Sequence, residues 1–333
     1  MQPRKFELKP AVRSHVPLLI GLIGPSGSGK TLSALRLATG IQRVSGGLIA
    51  GIDTESERMK AYADKFKFMH LNFTAPFGSL DYLEAIRYCV AQGAKVIVVD
   101  QMSSEHDGPG GVIDTQENEL DKMAGDNYEK RERCKMLAWS KPKSNRRKLI
   151  AGLLQINCNF VFCFRAKSIV KPMKVNGKTE VVPQGFVPIA GDEFIYEMTT
   201  NIFLPPKSDG VPCWNSENPG EKVAMKLPMQ FRGILDRPNQ PLSEDIGEQL
   251  ATWAKGGTTE KPKIDPPKPP DKPAELTTDD ATYLSDVAIE VETARSVGDL
   301  TAIYKMVETK RPKLLQQVKE LCGAKRKELE ASA

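Results

Sequence analysis

The chain has 333 residues, 40% hydrophobic and 27% charged, and carries a formal charge of +5. This is globular composition with room for about two domains. No apolar run approaches the ~18 residues of a membrane span, so no membrane partner is expected. The six cysteines form no CxxC pair and the three histidines stand alone, which argues against a zinc module.

Residues 1–15 are polar and basic with no apolar h-region, so no secretory signal is expected. With scattered cysteines, the reading is a reduced, cytoplasmic protein. Residues 18–23 form a buried strand, followed by a glycine-rich loop and a helix from 31 to about 42. A second strand spans 47–53. A helix is expected from 56 to about 66, a short strand over 68–73 and a helix over 81–92. The run 95–100 is a continuous apolar strand ending in aspartate. Residues 103–148 read as a long, polar, glycine-containing insertion of loop character. A helix over 146–156 precedes a buried strand over 159–164. Residues 169–182, with Asn176-Gly177 at their middle, read as a β-hairpin. Continuous apolar strands alternating with helices predict an α/β fold with a mostly parallel sheet covered on both faces.

The domain pattern is then a large domain over 1–255, a proline- and lysine-rich linker over 256–275 and a small C-terminal helical module over 276–333. Six prolines in sixteen residues of the linker suit neither helix nor sheet. In the module, apolar residues recur at helical spacing (Tyr283, Val287 and Val291; Leu300, Ile303 and Met306), predicting two or three helices.

Gly24-Pro25-Ser26-Gly27-Ser28-Gly29-Lys30-Thr31 matches G-x-x-x-x-G-K-[ST] in full, between a strand and a helix, which is the context that motif requires. Its glycines let successive N–H groups turn toward phosphates, and the helix adds its positive end. Lys30 is expected to reach the β- and γ-phosphates of a nucleotide such as ATP, and Thr31 to hold Mg²⁺. Asp100, at the end of its apolar strand, is the matching acid for the Mg²⁺ shell. Two residues could activate water: Glu55, after the second strand, and Glu105, just after Asp100.

The loop, then Asp53-Thr54-Glu55, then residues 96–100, resemble RecA-family P-loop NTPases in order and spacing. That resemblance covers roughly residues 16–205. It implies a RecA-like core, ATP hydrolysis with Glu55 as base, and Tyr62 stacking on adenine seven residues later. It also implies γ-phosphate sensing and cationic fingers across a subunit boundary, carried over to Arg165 and Lys167, and hence a homo-oligomer. Within the family the chain is most similar to compact ATPases encoded by bacteriophages, some of which assist single-strand annealing; the setting implied is the host cytoplasm. The segments 98–112 and 139–143 carry this likeness. Two features depart from the family: the residues before Val16 leave no room for the oligomerisation domain of full recombinases, and Gln101 follows Asp100 where a serine is usual, so full strand exchange is not expected.

Between 122 and 148, ten basic residues face three acidic ones, a local charge of +7. With Trp139, this suits single-stranded DNA: phosphates on Lys141, Lys143, Arg146 and Arg147, bases on the ring. RecA-like proteins place DNA loops in this part of the fold. The competing reading is a solvated helix over 127–137 with Trp139 in the core. Lysines of the hairpin (Lys171, Lys174, Lys178) could extend the basic surface. The C-terminal helices, with nine basic and ten acidic residues, suit a protein partner better than DNA.

Overall fold

A computed structural model describes residue 8 and residues 16–175, 178–256 and 278–331. They form two compact units dividing between residues 260 and 261. The linker expected over 256–275 lies, Gly256 apart, outside the described residues, as does the Asn176-Gly177 turn.

The first unit opens with β1 (Leu19–Gly24), α1 (Lys30–Ser45) and β2 (Leu48–Asp53). A 3₁₀ turn (Arg58–Tyr62) leads to β3 (Met69–Asn72), α2 (Ser79–Ala91) and β4 (Ala94–Asp100). Four helices follow: α3 (Ser104–Asp107), α4 (Val112–Ala124), α5 (Tyr128–Ala138) and α6 (Ser140–Leu154). Then come β5 (Asn159–Val175), β6 (Lys178–Pro188), α7 (Asp192–Glu197), β7 (Thr200–Phe203), α8 (Pro219–Val223) and α9 (Glu244–Lys255). The sheet runs β3-β2-β4-β5-β1-β7 with every neighbour parallel, and β6 pairs antiparallel with the outer part of β5. The fold is therefore α/β with a mostly parallel sheet.

Strand side chains alternate between two buried layers, which is why the strands are apolar throughout rather than at every second residue. Ile97, Val99, Phe160, Phe162 and Phe164 enter one core, joined by Leu83 and Ile86 of α2 and Leu149 and Leu153 of α6. Ile20, Leu22, Val96, Val98, Val161 and Cys163 enter the other, with Leu35, Ala38 and Ile41 of α1 and Ile246 and Leu250 of α9. Helices α1 and α9 meet backbone to backbone. A Cβ on Gly40 would sit 1.8 Å from the Glu244 carbonyl oxygen, and one on Gly247 2.3 Å from that of Leu37.

Three expectations are corrected. The helix expected over 56–66 is only the 3₁₀ turn. The Asp53 carboxylate accepts the N–H groups of Glu55 (2.8 Å) and Met59 (2.9 Å), while Ser56 and Glu57 take positive φ, which a helix does not allow. The segment 103–148 is not a loop but the helices α3–α6, which reach Leu154. The strand over 159–164 and the first arm of the hairpin are one strand, β5.

The second unit is α10 (Thr278–Thr293), α11 (Val297–Lys310), a 3₁₀ turn (Pro312–Leu314) and α12 (Leu315–Ala331). Val287, Val291, Leu300, Val307, Leu314 and Val318 form its core. Ser296 and Asp299 make a reciprocal cap at the start of α11. Buried Asp280 binds Arg311 (2.7 Å) and Lys313 (2.6 Å). Among the described residues, no helix is long and apolar enough to cross a membrane. All six cysteines are unpaired thiols.

Gly40→Ala should force α1 and α9 apart and destabilise the first unit by ~1–3 kcal/mol. At roughly 2–4 °C per kcal/mol for a unit of this size, thermal melting followed by circular dichroism will read the loss. An unchanged midpoint would contradict the close approach.

Candidate functional site

Parallel register brings distant residues to one sheet edge. Asp53 pairs with Asp100, Asp100 with Cys163, and Gly24 with Arg165. The loop 24–31 leaves β1 at this edge and turns into α1, with Gly27 and Gly29 at φ +75° and +87°. Gly29 is the residue before the helix, so the N–H groups of Lys30 and Thr31 are among those that a helix start leaves without an intrahelical partner. Ser28 Oγ and Lys30 Nζ both donate to the Pro25 carbonyl, at 2.9 and 2.7 Å.

A cavity of about 280 Å³ opens over the loop. Its walls include Ser26, Gly27, Gly29, Lys30, Thr31, Glu55, Tyr62, Asp100, Gln101, Arg165 and Asp209. Thr31 Oγ1 donates to Asp100 Oδ2 at 2.6 Å. Burial raises Asp100 to a pKa of about 6, the Thr31 hydroxyl pulling the other way. Burial likewise lowers Lys30, opposed by the nearby Asp100 and Glu55 carboxylates among others. Gln101 Nε2 donates to Glu55 Oε1 at 2.7 Å. Thr54 fastens this corner, its N–H donating to the Asp100 carbonyl (2.8 Å) and its Oγ1 accepting from the Gln101 N–H (3.0 Å).

Of the residues singled out in sequence, Lys30, Thr31, Glu55, Tyr62, Asp100 and Arg165 converge on this cavity, with Ser26, Gly27 and Gly29 of the loop. Gly24, Pro25 and Ser28 shape the loop from behind. Arg165 faces the cavity of its own chain, and its Nη2 binds Asp107 at 3.1 Å. Lys167 is exposed and does not line the cavity. Sequence reading missed Asp53, which anchors the turn bearing Glu55, and Asp209, whose segment closes on the loop through Gly210 N–H to the Ser28 carbonyl (3.1 Å). Asp53 stood in the Asp53-Thr54-Glu55 run, but its anchoring role depends on the turn it folds, and Asp209 lies far from the motif.

Glu105, the other candidate base, is not at the cavity. It is buried, accepting from Arg146 Nε (3.2 Å) and Nη2 (2.8 Å) and from Ser79 Oγ (2.6 Å). This corrects Arg146 as a phosphate contact: only 7% exposed, it braces α6 against α3 and α2. The +7 of residues 122–148 is offset by acids of the helices before it. Counted over 104–154, ten basic residues meet nine acidic ones, leaving +1. Lys122 and Lys141 share Glu119, Arg131 binds Glu117 and Asp121, Arg133 binds Glu129, and Lys135 binds Glu132. Trp139 is half-buried where α5 passes into α6. Lys143, Arg147 and Lys148 are exposed on α6, without an ion pair among the described residues.

No protein-family model matches the chain, and a search of curated proteins finds no match. What the site can hold is argued from its own groups. A lysine, helix-start N–H groups and curled glycines form an anion cradle. A hydroxyl and a carboxylate 2.6 Å apart are hard oxygen donors of the kind Mg²⁺ takes beside phosphates. Both groups therefore fit.

Removing one partner of a buried ion pair costs about 3–5 kcal/mol. Arg146→Ala should accordingly lower thermal stability sharply, whereas Arg147→Ala, one position along and exposed, should leave it unchanged. Equal melting midpoints for the two variants would contradict the buried strut.

Proposed function

We propose that the first unit is a RecA-like P-loop ATPase of phage type, binding and hydrolysing ATP with Mg²⁺ and acting on single-stranded DNA in recombination or replication. The observation that carries this is the Thr31–Asp100 bond beside buried Lys30, in a cavity that Glu55 and Tyr62 also line.

On this reading, Lys30 and the loop N–H groups hold the β- and γ-phosphates. Thr31 Oγ1 and Asp100 would hold Mg²⁺. Bound there, Mg²⁺ supplies positive charge to the β- and γ-phosphate oxygens. Glu55 is the base: its Oε1 is fixed by Gln101, and Oε2, 3.8 Å from exposed Arg58, is left to take a proton. Tyr62 offers a ring to adenine. Arg165, which lines the cavity, would act on the nucleotide of its own chain. DNA would meet the outward face of α6, through Lys143, Arg147 and Lys148.

A second reading is an ATP-switched assembly protein without DNA-coupled turnover. It is favoured by the near balance of charge over 104–154 and by the loss of Arg146 as a contact.

Lys30→Ala should abolish ATP binding measured by calorimetry; wild-type affinity in that variant would contradict the phosphate-loop assignment. Glu55→Gln should bind ATP but hydrolyse it ~100-fold more slowly or worse, the scale of a lost general base. For DNA, each phosphate neutralised on a single strand contributes about −0.7 to the salt slope. Replacing Lys143, Arg147 and Lys148 together by alanine should flatten that slope by roughly two units. An unchanged affinity and slope would put the assembly reading ahead.

A further inference from the structure

Gln101 takes the place that serine holds in the resembling family, and its side chain bonds to Glu55 rather than to the surrounding backbone. Its backbone carries the local bonds: the N–H binds Thr54 Oγ1, and the carbonyl accepts from Tyr82 Oη at 2.9 Å. Gln101 is 4% exposed yet lines the cavity. Its Nε2 is spent on Glu55 Oε1 at 2.7 Å. A carboxylate only accepts, so the amide cannot be turned the other way without setting oxygen against oxygen. That leaves Oε1 as a buried acceptor with no hydrogen-bond partner in the structure. Oε1 is sealed from the cavity, so the amide acts on the site through Nε2 alone.

We propose that Gln101 is a positioning residue for ATP hydrolysis, fixing the orientation of the base Glu55, an inference resting on the ATPase reading above. Nε2 holds Glu55 by one carboxylate oxygen. Glu55 Oε2, on the other side of the carboxylate, takes a hydrogen of the attacking water. The water oxygen bonds to the γ-phosphorus as its bond to the β,γ-bridging oxygen breaks. The proton passes to Glu55, and the electron pair of the broken bond leaves on ADP, giving ADP and inorganic phosphate. The two groups sit on neighbouring strand ends, Glu55 after β2 and Gln101 after β4, so the sheet fixes their spacing. With Gln101 removed, Asp53 still pins the Glu55 backbone, but the carboxylate loses the bond that orients Oε1.

The test uses the full chain, measuring turnover of Mg–ATP, equilibrium Mg–ATP affinity and the melting midpoint. Gln101→Met keeps length without the amide. Its kcat should fall about 100-fold, the cost of a misplaced reactant, with affinity and midpoint unchanged. Gln101→Glu keeps the shape but sets two acceptors together, and should fall as far; it carries the test if the methionine variant is unstable. In a Glu55→Gln background, Gln101→Met should cost little more, because both residues serve one proton transfer. A wild-type kcat in Gln101→Met, a fully additive double variant, or a loss that lies in affinity alone would each overturn the proposal while leaving the ATPase reading intact. A wild-type chain that does not hydrolyse Mg–ATP would overturn that reading, and this proposal with it.

Discussion

Asp53, Asp100, Cys163 and Leu22 lie level across four neighbouring parallel strands, and the site depends on that alignment. Because the strands run the same way, their carboxyl ends fall on one edge, where loops 69 residues apart in sequence can meet, as Thr31 and Asp100 do. Side-chain packing on both faces holds the alignment. The phenylalanines of β5 fill one layer, and Val161 and Cys163 of the same strand fill the other. A slip of one residue in any strand would exchange its two faces and separate the acids.

Around this edge, polar bonds set the fine positions. Asp53 pins the turn that carries Glu55, and His70 Nε2 lies 3.1 Å from the same carboxylate. Ser103 Oγ accepts from the Arg165 N–H at 2.8 Å, tying α3's start to β5. The Glu105–Arg146 pair then links α3 to α6, so the outward basic face of α6 is joined through buried contacts to the segment after Asp100.

The alternation of strands and helices was legible because a sheet covered on both sides writes itself as continuous apolar runs, and the phosphate loop because its chemistry is local in sequence. Other features depend on partners far away. The turn at 56–66 looked helical by spacing, and only Asp53 capturing two N–H groups makes it otherwise. Helix α5 buries little beyond Ala138, so only the competing reading of a solvated helix over 127–137 anticipated it. Arg146 read as a surface charge, since its partner Glu105 lies 41 positions earlier. The +7 charge depended on where counting began, and the compensating acids of α4 lay just outside that window. Gln101 stood out only as a departure; its role needed the geometry of Glu55.

The central claim is that the Lys30, Thr31 and Asp100 cluster serves Mg–ATP. It is tested most directly by phosphate release from ATP by the full chain, measured in excess Mg²⁺ and again after chelation with EDTA. The account predicts steady turnover with Mg²⁺ and none in EDTA. No phosphate release with Mg²⁺, or release at the same rate in EDTA, would contradict it.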